Sequence, residues 1–362
     1  MRTLTLNRLA VGRAVPWVLW LGAAACATGS ASGRDTGGTY PVRIERTVFL
    51  MGTYATFVAE TVDRQTGLAK LERMVRVIEE TEAELSTWRD DSVLSALNGQ
   101  PVGTPLPVPA AICGLFSRIA KWHAATDGAF DPAVGNLIKA WDLRGEGREP
   151  DDGEALAALA ASGFDKLVLD AVSCAVTRRA AVILDAGGFG KGEALDRVRE
   201  AERDRRGAWF IDFGGQVAVS GESSDGPWSV GLAHPAQRQK AVLELTLVAG
   251  SIATSSGSER DRVTGDGRRI GHIVDPRNGR PVNRTGSVTV WHENAFVADV
   301  LSTALYVMGR KEGIAWAGPR GIAACFFSAD PHSGDVVFRT TPAFKARFPV
   351  HDSPPGEEET KD

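Results

Sequence analysis

A glycine-rich segment with one lysine is the part of the sequence best suited to binding an anion. An apolar run at 182–184 is followed by Lys191 among four glycines, at positions 187, 188, 190 and 192. A strand, a glycine turn and a helix N-terminus in succession bind phosphate, because backbone N–H groups and the helix dipole face the anion. The spacing matches neither G-x-G-x-x-G nor the Walker A motif. It predicts a strand at 182–184, a helix at 193–203, and between them either a phosphate site or a tight turn with positive φ angles.

An aspartate in an otherwise apolar segment is the second group that could do chemistry. Residues 295–308 predict a buried helix, in which an ionised Asp299 without a partner would cost several kcal/mol. Thr303 lies four residues later, so the two side-chain oxygens share one face of the helix. Two hard oxygen ligands, completed by backbone carbonyls and phosphate oxygens, suit Mg²⁺. The alternative is that Asp299 caps the backbone of another segment.

A histidine and an aspartate three residues apart form the third group. His272 and Asp275 lie where a strand end meets a P-R-N-G turn, and they follow the hydroxyl-rich segment 251–260. That segment offers several hydrogen-bond donors to an anionic ligand. A histidine in such a place is suited to act as a general base. A lone histidine is more often structural, so both interpretations stay open at this point.

Periodicity predicts the elements that must position these groups. Apolar and polar residues alternate on both sides of Met51, and helical spacing of apolar residues predicts helices at 67–86, 109–125 and 156–161. Further strands are predicted at 166–170, 180–184, 208–215, 228–235 and 242–248, so the second half is rich in sheet. Trp88 follows the first helix, a place where a tryptophan is more often a core anchor than a ligand platform. Pro132 disfavours helix at Asp131, which suits a carboxylate held in a turn.

The N-terminus has the pattern of a bacterial export signal. Three arginines precede the apolar stretch 15–25, which is too short for a stable transmembrane helix and ends in small residues before Cys26. The order L-G-A-A-A-C resembles a lipoprotein signal, in which the cysteine is lipidated and becomes the new N-terminus. Cleavage after Ala25 without lipidation is the alternative, because Ala23 occupies a position usually held by Leu or Val. We therefore expect an exported inner-membrane lipoprotein facing the periplasm, or a soluble periplasmic protein.

The remaining chain divides into a tether, a folded domain and a tail. Residues 26–41 are small and polar and predict a flexible tether, 42–348 predict the folded domain, and 349–362 form a polar tail. The formal net charge is −4, and nothing in the sequence suggests nucleic-acid binding, which would need a basic face. Apart from Cys26, the cysteines are odd in number and widely spaced, at 113, 174 and 325. That set predicts neither a disulfide framework nor a zinc site.

Six motifs in a fixed order link the chain to a known family. They are M-G-T (51–53), S-T-W (86–88), D-G-A-F-D-P-A-V-G (127–135), L-D-A-G-G-F-G-K-G (184–192), H-I-V-D-P-R-N-G-R-P-V (272–282) and A-D-V-L-S-T-A (298–304). Together they closely resemble the ApbE family of FAD:protein FMN transferases, over about 46–345. The resemblance implies an α+β fold of two lobes with FAD in the groove between them.

The resemblance also implies a reaction and its residues. FMN would pass from FAD to a Thr or Ser hydroxyl of an acceptor protein, with Mg²⁺ on the pyrophosphate and release of AMP. Typical acceptors are flavoprotein subunits of membrane redox complexes, modified on the outer side of the inner membrane. His272 becomes the proton acceptor, with Asp275 as the first alternative, and the metal ligands are Asp299, Thr303 and the Gly188 carbonyl. FAD contacts are implied for Met51, Trp88, Ala129, Phe130, Asp131, Asp185, Lys191 and Ile273.

One motif departs from the family pattern. Many relatives have T-S-G-D-Y-E-R where residues 254–260 are T-S-S-G-S-E-R, so that an Asp is absent and Ser258 replaces a Tyr. If that Asp helps to hold the metal or the acceptor, the activity would be altered. Two alternatives follow: an FAD pyrophosphatase that forms FMN and AMP, and a flavin-binding lipoprotein that does not catalyse. The intact Asp299 and Thr303 favour catalysis, because a binder has little need of a placed metal.

The signal sequence generates a first prediction. Cys26→Ser should release the protein from membranes, because a diacylated cysteine is the lipid attachment that the sequence offers. Membrane and soluble fractions of expressing cells, probed for the protein, measure the change. A variant that still sediments with membranes contradicts the lipoprotein interpretation, as does a soluble wild type that begins at an unmodified Cys26.

Overall fold

The computed structural model describes residues 40–235, 237–257, 261–263, 267–329 and 336–350. The predicted signal at 1–25 lies outside these ranges, as do the tether and the tail except for residues 40–41 and 349–350. Residues 258–260 of the variant motif also lie outside them. None of the helices in the described part of the chain combines the length and the apolar composition needed to cross a membrane.

Strands and helices are mixed along the chain, which confirms the α+β class. The strands in chain order are β1 (Val42–Leu50), β2 (Thr53–Thr61), β3 (Leu106–Pro107), β4 (Leu167–Asp170), β5 (Ala175–Arg178), β6 (Ala208–Phe213), β7 (Gln216–Ser220), β8 (Trp228–His234), β9 (Gln237–Leu247), β10 (Ala249–Ser256), β11 (Arg262–Val263), β12 (Arg269–Ile270), β13 (Val274–Asp275), β14 (Arg280–Pro281), β15 (Ser287–His292), β16 (Ala323–Ala329) and β17 (Val336–Thr340). The helices are α1 (Arg64–Leu85), α2 (Val93–Gly99), α3 (Ala110–Ala125), α4 (Gly135–Ala140), α5 (Asp152–Ala160), α6 (Gly190–Ala201), α7 (Ala295–Ala317) and α8 (Pro342–Arg347), with a 3-10 turn at Phe164–Lys166.

Eight of the strands form one antiparallel sheet around which the other elements are arranged. Their order across the sheet is β1-β2-β6-β7-β10-β15-β16-β17. This order is also the order along the chain, so the other elements, apart from α8 after β17, are insertions between strands that are neighbours in the sheet. The remaining described strands form the small antiparallel sheets β3-β5-β4, β8-β9, β11-β12 and β13-β14.

Different elements cover the two faces of the large sheet. Successive side chains of a strand point to opposite faces. In β2, Phe57 shares a core with α1 and α6, whereas the next residue, Val58, shares a core with the β8–β9 hairpin and α8. Helix α7 packs on β10, β15 and β16 and shares a third core with α3. The apolar spacing that predicts the helix at 67–86 corresponds to the buried face of α1.

The hairpin of β1 and β2 ends in a two-residue turn. Met51 and Gly52 both have positive φ angles, of 47° and 75°. Such a turn matches the natural twist of the paired strands. It holds Met51 at one end of the large sheet.

The predicted strand at 180–184 is wrong, although Val182 and Leu184 are buried. Leu184 N–H donates to Asn98 Oδ1 at 2.8 Å, and Asn98 Nδ2 donates to the Leu184 carbonyl at 3.0 Å. Gly135 N–H donates to the Ile183 carbonyl at 2.9 Å. A side chain and a turn satisfy the backbone of the segment where a strand partner was expected. Helix α6 begins at Gly190 rather than at 193.

A disulfide corrects the interpretation of the cysteines. Cys113 in α3 is bonded to Cys174 in the turn between β4 and β5, while the buried Cys325 is outside any disulfide. The backbone brings them together, since Val108 N–H, just before α3, donates to the Cys174 carbonyl at 2.8 Å. An odd count of cysteines therefore conceals one disulfide-bonded pair. Spacing along the chain could not reveal the pair, which is separated by 61 residues.

The disulfide generates a second prediction. Cys113→Ser combined with Cys174→Ser should lower the free energy of unfolding by about 2–4 kcal/mol, because the cross-link restricts the unfolded chain. Chemical denaturation of the oxidised wild type and of the double variant measures the difference. Dithiothreitol should destabilise the wild type by the same amount and leave the double variant unchanged. Equal stability of all these forms would contradict the prediction.

Candidate functional site

The four glycines of the 187–192 turn do not serve unusual backbone angles, and two of them, Gly190 and Gly192, permit a close approach of other segments. None of the four has a positive φ. A Cβ on Gly190 would lie 3.2 Å from the Met51 Cε, and a Cβ on Gly192 would lie 2.5 Å from the Ala295 carbonyl oxygen. The alternative of a tight turn with positive φ angles is therefore wrong. The glycines let the start of α6 approach α7 and the β1–β2 turn.

Asp299 lies at this contact between α6 and α7. Its Oδ2 accepts a hydrogen bond from Gly192 N–H at 2.9 Å, and its Oδ1 lies 3.9 Å from Lys191 Nζ. The Asp299 side chain is 6% exposed. One oxygen thus caps the backbone of another segment, which was the structural alternative for this residue. The other oxygen lies within electrostatic reach of the Lys191 ammonium group.

Hydroxyl groups line the same end of α7. Thr303 Oγ1 lies 3.4 Å from Ser255 Oγ, which also pairs with Ser302 Oγ at 2.9 Å. A Cβ on Gly188 would lie 3.6 Å from Thr303 Oγ1 and 3.5 Å from the Phe130 ring. The structure therefore brings together Gly188, Thr303 and Phe130, three of the residues that the resemblance assigns to the metal and to FAD.

The oxygen ligands at this place fit a magnesium ion whose other ligands include phosphate oxygens. Asp299 supplies a carboxylate oxygen and Thr303 a hydroxyl, both hard oxygen ligands. Within the described residues, no cluster of three or more His, Cys, Asp or Glu side chains could hold a metal ion. A cage made only of charged side chains is thus not formed by these residues. Mg²⁺ commonly binds through one or two carboxylates and substrate phosphates, so a site with few protein ligands suits it.

His272 is paired with a carboxylate that the sequence did not single out. Its Nδ1 lies 2.7 Å from Asp261 Oδ1, and its backbone N–H donates to the same oxygen at 3.0 Å. The sequence-based candidate, Asp275, makes other contacts. Asp275 accepts hydrogen bonds from the backbone and side chain of Arg277, each at 3.0 Å, and stabilises the turn after β13. Nothing in the sequence marks Asp261 as the partner of His272, because 11 residues separate the two.

Trp88 is exposed, so the core-anchor interpretation is wrong. Its relative exposure is 77%, and the guanidinium of Arg144 lies 4.7 Å from the ring centroid. Arg144 also forms an ion pair with Asp185 and donates to Thr87 Oγ1 at 3.0 Å. Asp185 in turn accepts from Gly187 N–H at 2.8 Å. Arg144 therefore connects two implied FAD contacts, Trp88 and Asp185, with the glycine turn.

The other implied FAD residues differ in how accessible their side chains are. Ala129 and Phe130 are buried, and Ile273 is half-buried. Asp131 is buried, and both of its carboxylate oxygens accept backbone hydrogen bonds, from Ala133 at 2.7 Å and from Phe164 at 2.9 Å. Burial raises the pKa of Asp131, and these bonds oppose the shift. Its carboxylate thus holds together the loop that carries Ala129 and Phe130.

The fold and the order of these groups agree with the motif resemblance, and a family comparison identifies the chain. It belongs to the ApbE family, whose sequence profile matches residues 51–326. The FAD:protein FMN transferase of Vibrio cholerae is 31% identical over 248 residues, which cover 67% of this chain and 74% of that protein. The FAD:protein FMN transferase of Haemophilus influenzae is 27% identical over 327 residues, covering 87% of this chain and 90% of that protein.

Solved structures show the same fold. The apo form of the flavinyl transferase ApbE from Pseudomonas stutzeri has a TM-score of 0.76 and 28% identity, covering 86% of this chain and 98% of that one. The ApbE protein from Thermotoga maritima has a TM-score of 0.77 and 28% identity, covering 85% of this chain and 99% of that one. Nearly the full length of both structures is therefore matched.

The exposed tryptophan generates a third prediction. Trp88→Ala should weaken FAD binding by about 1–2 kcal/mol, because a flat ring that can stack on the flavin is lost, whereas Trp88→Tyr should be nearly neutral. Titration of flavin fluorescence measures the affinity. Trp316→Ala is the matched control, since Trp316 also lies under an arginine, with the Arg320 guanidinium 4.5 Å from its ring. An unchanged FAD affinity in Trp88→Ala would show that Trp88 does not contribute to FAD binding.

Proposed function

We propose that this protein transfers FMN from FAD to a Thr or Ser hydroxyl of an acceptor protein and releases AMP. The hydroxyl oxygen forms a new bond to the phosphorus on the FMN side of the pyrophosphate. The bond between that phosphorus and the bridging oxygen breaks, and AMP leaves with the electron pair. The names of the relatives, FAD:protein FMN transferases, support this reaction class.

The observation that carries the proposal is the convergence of charge and hydroxyl groups at the start of α6. Lys191 supplies a positive charge, Asp299 and Thr303 supply oxygen ligands, and the glycine turn allows a close backbone approach. Phosphoryl transfer requires that the phosphates be positioned and their charge neutralised. These residues are suited to do both at one place.

Mg²⁺ is part of the proposal. Asp299, Thr303 and the Gly188 carbonyl would hold it, and the ion would neutralise developing charge on the pyrophosphate. Lys191 Nζ, 3.9 Å from Asp299 Oδ1, would turn to the phosphate when the carboxylate binds the metal. Ser255 Oγ holds the Thr303 hydroxyl in place at 3.4 Å.

His272 is proposed as the base that accepts the proton of the attacking hydroxyl. The Nδ1 of its ring is occupied by Asp261, so the Nε2 atom remains for the substrate. The His272 side chain is 23% exposed, which leaves access for an acceptor hydroxyl. Trp88 gives the isoalloxazine ring of FAD an apolar surface, and Met51 beside Gly190 is placed near the same turn.

The N-terminal export signal supports a location for the reaction outside the cytoplasm. A lipid on Cys26 would hold the enzyme at the inner membrane, facing the periplasm. The acceptors would then be the flavoprotein subunits of membrane redox complexes whose target hydroxyls face that side. The Cys113–Cys174 disulfide supports an oxidising compartment, because structural disulfides are rare in the cytosol.

One assay separates the transferase from its two alternatives. The protein is incubated with FAD, Mg²⁺ and an acceptor peptide that contains Thr or Ser, and the products are identified by mass spectrometry. A flavin-labelled peptide and AMP are expected. Free FMN and AMP without labelled peptide would instead mean an FAD pyrophosphatase, and unchanged FAD would mean a binding protein.

The proposed roles of Asp299 and His272 generate a fourth prediction. Asp299→Asn should lower the affinity for Mg²⁺, so activity should recover partly as Mg²⁺ is raised. His272→Ala should lower turnover on the order of 10²–10⁴-fold, with FAD still bound and without rescue by Mg²⁺. Initial rates of AMP release over a range of Mg²⁺ concentrations measure both.

A neighbouring carboxylate provides the control for this experiment. Asp196 accepts hydrogen bonds from the N–H groups of Ala295 and Phe296, at 2.8 and 3.0 Å, and so stabilises the same contact of α6 and α7. Asp196→Asn should reduce stability without changing the dependence on Mg²⁺. The metal assignment fails if Asp299→Asn stays fully active at limiting Mg²⁺. If Mg²⁺ restores His272→Ala, this histidine belongs to the metal or pyrophosphate site.

A further inference from the structure

The carboxylate of Asp261 is the meeting point of four hydrogen-bond donors. Oδ1 accepts from the backbone N–H of His272 at 3.0 Å and lies 2.7 Å from His272 Nδ1. Oδ2 accepts from Arg269 Nε at 2.7 Å, and a second guanidinium nitrogen of Arg269 lies 2.5 Å away. The Asp261 side chain is 4% exposed, so these groups replace water around it.

These contacts fix the charge of the carboxylate and thereby the tautomer of the histidine. Burial acts to raise the pKa of Asp261, but the hydrogen bonds from His272 and Arg269 outweigh it and hold the pKa below its usual range. An ionised carboxylate can only accept hydrogen bonds. The His272 Nδ1 must therefore carry a hydrogen when it pairs with Asp261. In the neutral ring this leaves a lone pair on Nε2.

We propose that Asp261 is a positioning residue that holds His272 in the Nδ1–H tautomer, with Nε2 ready to take the proton of the acceptor hydroxyl. This role rests on the proposed transferase function. As the hydroxyl oxygen bonds to the FMN phosphorus, its proton moves to Nε2 and the ring becomes a cation. Asp261 then faces that cation at 2.7 Å and stabilises it.

The geometry distinguishes this role from those of nearby charges. Arg269 neutralises part of the Asp261 charge from the side opposite His272, so orientation and tautomer are the main contribution of Asp261. Asp275 is unsuited to the same role, since both of its oxygens accept from Arg277. Asp261 also follows directly after the 254–260 motif from which an Asp is absent. An acidic group is thus still provided by this part of the chain.

An asparagine cannot reproduce the contacts of this carboxylate. Donors approach both oxygens of Asp261, whereas an amide has one oxygen and one NH₂ group. If the amide oxygen faces His272, the NH₂ group faces the donors of Arg269. If the amide is turned, the NH₂ group faces the backbone N–H of His272 and favours the other tautomer. Asp261→Asn therefore removes the pairing while preserving side-chain size.

The first measurement needs no activity. Two-dimensional ¹H–¹⁵N correlation of the imidazole nitrogens reports the tautomer of each of the six histidines, and His272→Ala identifies the signals of His272. The wild type should show protonated Nδ1 and unprotonated Nε2, and Asp261→Asn should lose this pattern. A wild-type His272 with its hydrogen on Nε2 would overturn the proposal, whatever the enzyme proves to catalyse.

The second measurement is a double-mutant cycle on AMP release with FAD, Mg²⁺ and an acceptor peptide. Asp261→Asn should lower kcat on the order of 10²-fold, with the KM for FAD changed less than about threefold. In a His272→Ala background it should have little further effect, because Asp261 acts through the histidine. Asp170→Asn is the matched control. Asp170 accepts three hydrogen bonds in the β4–β5 turn, outside the site, and its loss should leave kcat unchanged.

The possible outcomes separate this proposal from the proposed function. An unchanged kcat in Asp261→Asn overturns the positioning role, and so does an equal loss in the wild-type and His272→Ala backgrounds, which indicates a general structural effect. If the wild type releases no AMP and labels no peptide, the transferase proposal fails. The nuclear magnetic resonance result then still decides whether Asp261 sets the tautomer.

Discussion

The site depends on one close contact between α6 and α7. Each helix supplies a carboxylate that accepts hydrogen bonds from backbone N–H groups of the other helix. Asp196 of α6 accepts hydrogen bonds from the first two N–H groups of α7, and Asp299 of α7 accepts one from the Gly192 N–H of α6. This helix contact requires that residue 192 have no side chain, since a Cβ there would overlap the α7 backbone. The first turn of a helix carries unsatisfied N–H groups, so a carboxylate at each helix start satisfies some of them and fixes the geometry. Lys191 and Thr303 are held in relation to Asp299 by this contact.

The second half of the site is built on turns and short strands, and its precision comes from side-chain pairs. His272 is held by Asp261, and Trp88 is held by Arg144, which also pairs with Asp185. In each case an exposed or half-exposed functional group is supported on one side and leaves its other side accessible. This arrangement suits a site that must bind a large dinucleotide and also admit a protein.

Sequence alone predicted the groups whose chemistry is unusual for their surroundings. Asp299 was identifiable because a charge in an apolar helix needs a partner, and the glycines because their density is unusual. The partners themselves were not predictable. Asp261 and Arg144 are ordinary polar residues in sequence, and only the fold places them beside His272 and Trp88. The same limit explains the missed disulfide and the segment 182–184, whose apolar pattern did not reveal that a turn and a side chain replace a strand partner.

The order of strands in the large sheet has a consequence for how the protein is made and how it varies. Each strand after β1 joins a neighbour that has already been synthesised, so the sheet can grow along one edge while the chain emerges from N to C terminus. No strand has to enter between two that are already paired. Most of the site residues lie on the insertions between successive strands. An insertion can therefore vary in length or sequence without changing which strands pair, because connecting segments tolerate such changes while the scaffold stays the same.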